Sequence, residues 1–145
     1  MATTRLEPLL SHNVFRGASG VNALVVLALG VLGTMMSGNP DLRAVHATLA
    51  IVFLGTSLVS ALSGMRYGKQ SNTKGLTLLG FAVFGLGVVQ YGLGEMSVTW
   101  PHMILGFALV LGAGALFVRS LSQPVVYTAQ RVAGDGAPPE DEASR

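Results

Sequence analysis

Residues 44–65 read AVHATLAIVFLGTSLVSALSGM, and this stretch of 22 residues decides the fold. No charged side chain interrupts it. A soluble helix of that length keeps a polar face, whereas here the polar residues are small hydroxyls and one histidine near an end. As a helix the stretch rises about 33 Å at 1.5 Å per residue, which matches the roughly 30 Å hydrocarbon core of a bilayer. Three further stretches have the same character: Gly17–Gly38, Gly75–Gly94 and Trp100–Val118. All nine basic and all seven acidic residues of the chain lie outside the four. The reading that follows is an all-α integral membrane protein, with four transmembrane helices in a left-handed up-down bundle.

Composition agrees. The 145 residues are 50% hydrophobic and 11% charged, against about 25% charged in a soluble domain. The expected layout is an N-terminal segment (1–16), a membrane domain (17–119) and a C-terminal tail (120–145), with no room for a second folded unit. The chain has no cysteine, which excludes disulfides, thiolate metal sites and cysteine nucleophiles. The pI near 9.4 is no nucleic-acid signal, because the basic residues are scattered along span edges. The first apolar run starts late and is too long for a signal-peptide core, so an uncleaved span is expected; no lipidation pattern is present.

Basic residues set the orientation. Arg5, Arg16, Arg66, Lys69, Lys74, Arg119 and Arg131 fall on one side, and Arg43 alone on the other. The positive-inside rule then puts both termini in the cytoplasm, of a bacterial inner membrane. Trp100 and Tyr91 suit the outer interface, and Tyr67 and Tyr127 the inner one.

The segments between spans carry weaker signals. In TRLEPLLSHNVFR (4–16), Leu6, Leu9, Leu10 and Val14 share a helical face, which fits either a short interfacial helix or a frayed tail. Ser37-Gly38-Asn39-Pro40-Asp41 reads as a tight turn. Tyr67–Gly75 reads as a longer polar loop. Pro124 should end or kink the fourth span, and the Gly-, Pro- and acid-rich end from Gly134 should be disordered.

The two halves look related. A shift of 56 positions sets Gly38 on Gly94, His46 on His102 and Leu49 on Leu105, as two parallel helical-hairpin repeats would. Lipid gives helices no hydrophobic reason to associate, so small residues should mark their contacts. Thr56, Ser60 and Gly64 do so on the second span, Gly80, Gly85 and Gly87 on the third, and Gly106, Ala108 and Gly112 on the fourth. Glycine on three spans exceeds what one small bundle needs, which points toward a second copy or another membrane protein.

No carboxylate or lysine lies mid-span, where proton- or cation-coupled transport needs one. Asn22 and Gln90 are the strongest polar groups within spans, and each should bond a neighbouring helix. His46 and His102 begin the two returning spans at matching depth. In an up-down bundle those spans are diagonal, and one axial imidazole from each can hold a haem iron. Ligation by alternate spans resembles the membrane b-type cytochromes, although the paired histidines per helix of the two-haem members are lacking. Gly106 could give room against a porphyrin face. Met35, Met36, Met96 and Met103 crowd the same rim as His46 and His102, and thioether with imidazole suits Cu(I). The plainer expectation is that both histidines are interfacial, that no cofactor is bound, and that the methionines fill gaps. No catalytic triad, phosphate loop or carboxylate pair is present.

Three functional expectations result. First is a non-enzymatic accessory or interaction subunit of a respiratory or envelope complex, an assembly factor or an exclusion factor. Second is a single-haem b-type electron carrier using His46 and His102. Third is a Cu(I)-handling protein. The lipid bilayer and another membrane component are the expected partners, and nucleic acid is not.

Overall fold

Helix α1 runs over Leu10–Met35, α2 over Leu42–Ser71, α3 over Lys74–Glu95 and α4 over Thr99–Ser122. Two short strands flank them, β1 (Thr3–Pro8) and β2 (Tyr127–Val132). The structure is a computed structural model, which describes residues 3–8, 10–36, 38–39, 41–125 and 127–132. Each of the four helices is long and apolar enough to cross a membrane. α1 packs against α2 and α4, and α3 packs against the same two. The arrangement is the square of an up-down bundle, with α1 diagonal to α3 and α2 diagonal to α4. One end carries the two short turns around 36–41 and 96–98. The other carries the α2–α3 turn and both strands, and is called the basic end below.

The helices overrun the apolar stretches. α2 continues through Arg66, Tyr67, Gly68 and Lys69 to Ser71, so the expected loop Tyr67–Gly75 shrinks to Asn72 and Thr73. Hydropathy marks the edge of the hydrocarbon, whereas a helix satisfies its own backbone on either side of that edge. The stop signal is local. Asn72 adopts a left-handed φ of 56°, which asparagine tolerates, and the Thr73 N–H donates to the Gly68 carbonyl at 2.9 Å.

α3 ends in the same way but with a less suitable residue. The Val98 N–H donates to the Leu93 carbonyl at 3.0 Å and the Ser97 N–H to the Gly94 carbonyl at 3.2 Å. This is a Schellman cap, and Ser97 holds its left-handed position at φ 57°. A left-handed L-residue costs about 1–2 kcal/mol, of which glycine returns part in unfolded-chain entropy. Ser97→Gly should therefore stabilise the protein by about 0.5–1 kcal/mol. A thermal midpoint in detergent that stays level or falls contradicts this.

The N-terminal segment departs from expectation. Residues 3–8 form no interfacial helix: β1 pairs antiparallel with β2, Thr3 opposite Val132 and Pro8 opposite Tyr127. Threonines at positions 3 and 4 favour an extended chain, and Pro8 cannot donate to a helical ladder. The partner strand comes from beyond α4, which stops at Ser122, with Gln123 extended (φ −79°, ψ 141°) ahead of Pro124, as residues before proline prefer. The acidic end from Gly134 lies outside the described residues.

Buried positions recur at four, three and four residues. They are Leu76, Gly80, Val83 and Gly87 on α3, and Leu109, Ala113, Leu116 and Ser120 on α4. This is the seven-residue seam of coiled-coil-like packing. One apolar cluster joins Val26, Phe53, Val83, Leu109 and Ala113; a second joins Phe15, Tyr67, Leu76 and Leu116. The polarity is inverted relative to a soluble bundle. Ser19, Asn22, Ser57, Ser60 and Ser120 are buried, while Leu24, Leu78, Ile104 and Phe107 are 67–74% exposed. In water such a surface is an aggregation hazard; against hydrocarbon it is the favourable one. Hydroxyls and amides link helices inside: Ser19 Oγ donates to Ser120 Oγ at 3.0 Å, and Thr56 Oγ1 to Asn22 Oδ1 at 3.1 Å.

Most of the small residues singled out in the sequence lie close to a neighbouring helix of this chain. A Cβ built at Gly80 would lie 3.1 Å from the Ala61 Cα, one at Gly87 2.8 Å from Phe53 Cε1, and one at Gly64 2.9 Å from Phe15 Cε2. Gly112 faces Val83 and Gly106 faces the Gln90 side chain, so that side chain takes the room expected there for a porphyrin. Ser60 is buried. Two positions turn outward instead. Gly85 has open space where its side chain would be, and Ala108 is exposed. Gly85 sits about 200° around the helix from both Val83 and Gly87, so it cannot share their inward face. Tyr67, expected at an interface, is fully buried and donates its hydroxyl to the Pro124 carbonyl at 2.8 Å.

The core fills only part of the bundle. The last buried residues toward the short-turn end are Val26, Phe53, Gly87 and Leu109; beyond them, 27–35, 42–52, 88–95 and 99–108 contain none. About ten residues of each helix, some 15 Å of length, thus carry only partly buried or exposed side chains.

Candidate functional site

In this half the four helices bring His46 and His102 together. The turn before α2 is tightened by Asn39, whose Oδ1 accepts from the Asp41 N–H at 3.2 Å. The Schellman cap of α3 leads into α4, which starts at Thr99 with Pro101 in its first turn, a position where a missing N–H is harmless. Each histidine thereby enters near the start of its helix, on diagonal corners of the square. Their ring centroids are 6.3 Å apart, with the ring planes at 51°. The 56-residue repeat that relates them in sequence corresponds to two opposite corners here.

The ring nitrogens are differently engaged. His102 Nδ1 lies 3.1 Å from the Gln90 carbonyl. A carbonyl can only accept, so Nδ1 carries the proton and donates, which leaves the Nε2 lone pair free. Such a bond is how a metal-binding imidazole is held in tautomer and orientation. His46 makes no side-chain hydrogen bond among the described residues, and its Nδ1 is buried. Gln90 Oε1 is a second buried acceptor without a partner. An unsatisfied buried polar atom costs about 1–3 kcal/mol, so two at one end of a small bundle call for an explanation.

A glycine stands beside each ring. A Cβ at Gly33 on α1 would lie 3.6 Å from His46 Cε1, and one at Gly94 on α3 would lie 3.0 Å from His102 Cε1. Cε1 is the carbon between the two nitrogens; a side chain at position 94 would press on it, whereas a Cβ at position 33 would make an ordinary contact. Gly94→Val should push the His102 ring off its Gln90 bond. Retention of any metal held by that ring should fall on the order of tenfold, the weight that orientation of a metal-bound imidazole carries. Unchanged retention in a folded Gly94→Val protein contradicts the placement.

The distance can be tested against metal chemistry. A metal–nitrogen bond of about 2.0 Å puts an imidazole centroid roughly 3.2 Å from the metal. Two imidazoles on opposite sides of one metal are then roughly 6.4 Å apart, close to the separation found. The copper set is less complete. Met35, Met96 and Met103 are 55%, 73% and 59% exposed, so three of the four thioethers turn away from the interior; Met36 is half-buried. Among the described residues no group of three or more His, Asp or Glu side chains could hold a metal ion.

His12, expected in the tail, belongs to α1 and is fully buried. Its ring leans on Tyr67, centroids 5.0 Å apart at 49°, and both its nitrogens lack a partner. It sits at the basic end with no facing histidine. Asn22 bonds a neighbouring helix as expected. Gly33 and the Gln90 carbonyl leave no signal in the sequence; Gly94 stands in the repeat alignment, at the end of the third span. No protein-family model, curated protein or solved structure matches the chain.

Proposed function

We propose that this chain is a multi-pass membrane electron carrier that binds one haem b between His46 and His102. The observation that carries the reading is the pair of imidazoles 6.3 Å apart on diagonal helices. The orphaned Nδ1 of His46 and the close approach of Gly94 to the His102 ring support it, and the Gln90 side chain beside Gly106 would have to turn aside to admit the macrocycle. The accessory-subunit reading rests on the small-residue stripes and on the lack of membrane-buried charge, and most of the stripe glycines meet a neighbour within the chain. The copper reading loses three thioethers.

A haem iron held there supplies one-electron transfer at a fixed depth in the membrane. The chain does the rest. His102 keeps its proton on Nδ1 through the Gln90 carbonyl and presents Nε2. His46 comes from the opposite corner. Apolar faces of α1 and α3 flank the pair, and low polarity around a bound iron would be one lever on its potential. The charge asymmetry between the two ends supports cytoplasmic termini in a bacterial inner membrane, which puts the histidine pair near the outer surface. The test is elemental and pigment analysis of protein expressed with ample haem precursor. One iron and one haem b per chain supports the reading. Copper without haem, or neither, overturns it.

A further inference from the structure

At the basic end, away from the histidines, α2 and α3 leave a groove of about 590 Å³ beside their turn. Its upper lining is Lys69, Asn72 and Lys74; its lower lining is Met65, Leu78 and Phe81. The order follows from helix periodicity. Met65 precedes Lys69 by four residues and Leu78 follows Lys74 by four, so each pair shares a helix face. Phe81 lies one further turn in. The lining therefore changes from cationic to apolar within about 6 Å and stays apolar to about 10 Å. Lys69 and Lys74 are exposed, and no interaction ties either to a carboxylate among the described residues. Leu78 is 74% exposed.

We propose that this groove binds an anionic phospholipid, with the phosphate between Lys69 and Lys74 and the upper acyl chain along Leu78 and Phe81. A basic pocket between helix ends at the membrane surface is suited to an anionic headgroup, and the polarity gradient runs in the same direction as that of the lipid. A second copy meeting this face through a two-fold axis would bring lysine against lysine. The chain's own acidic segment, Glu140-Asp141-Glu142, would match the lysines but has nothing apolar to offer Leu78 and Phe81.

The test uses the full chain with its cofactor complement, equilibrated in nanodiscs of equal phosphatidylglycerol and phosphatidylcholine. It is then extracted in mild detergent, and the retained lipid is counted by mass spectrometry. Phosphatidylglycerol should be enriched in the wild type. Lys69→Gln and Lys74→Gln should each lower the enrichment about fivefold. Phe81→Ser, which changes no charge, should also lower it. Arg119→Gln removes a charge at the same end but outside the groove and should leave it unchanged. These positions are exposed, so the variants should keep their helicity. The proposal is overturned by absent enrichment in the wild type, by a loss in Arg119→Gln equal to that of the lysine variants, or by an unchanged Phe81→Ser. That last result would mean a free phosphate or headgroup site only.

Discussion

Protein carrying His46→Ala should purify folded and without haem, and so should His102→Ala. His46 and His102 would hold the iron through one imidazole each, and the chain offers a facing pair nowhere else among its described residues. Removing either would leave one ligand. Retention should fall by at least about a hundredfold, the upper end of what even an outer-shell partner of a metal ligand carries. The fold should survive. Both rings are only half-buried, alanine is the strongest helix former, and the packed core lies nearer the basic end, from Phe53 onward in α2. His12→Gln is the informative control: it changes a fully buried histidine but should leave the haem in place. Full haem occupancy in His46→Ala or His102→Ala would contradict the site assignment.

Gly80→Leu should be strongly destabilising. A Cβ at position 80 would sit 3.1 Å from the Ala61 Cα, and a backbone atom cannot rotate aside. The rest of the leucine must force α2 and α3 apart. Overpacking typically costs about 1–3 kcal/mol, and the backbone contact puts this case near the top of that range. Gly85→Leu adds the same side chain five residues later, where nothing stands within 4 Å. It should change stability by less than about 0.5 kcal/mol. Steric-trap or thermal unfolding in the same detergent separates the two. Equal effects would mean that α3 presents a different face to α2.

The four helices were legible because their environment writes itself into composition: an apolar surface needs apolar residues on every face, and charge can stand only at the ends. The helix ends were not, because hydropathy reports the hydrocarbon boundary while Asn72 and Ser97 set the stops through backbone geometry. The ribbon of β1 with β2 was hidden for another reason. It pairs residues at opposite ends of the chain, and neither strand signals its partner. The burial of His12 and Tyr67 is likewise tertiary, created by the overrun of α1 and α2 beyond the apolar runs. The histidine pair was legible, since equal offsets from two turns place two residues at one depth, and diagonal helices then face them across the bundle. Gly33 and the Gln90 carbonyl were invisible, because a backbone atom and a missing side chain leave no mark of purpose in the sequence. Gly85 misled, because small residues invite packing only when they fall on the inward face.

Haem between His46 and His102 is read out by the visible spectrum of the purified wild-type protein, oxidised and then reduced with dithionite. A Soret band that shifts on reduction and a sharp α band should appear, both missing from His46→Ala and His102→Ala. A featureless visible spectrum from protein made with ample haem would contradict it.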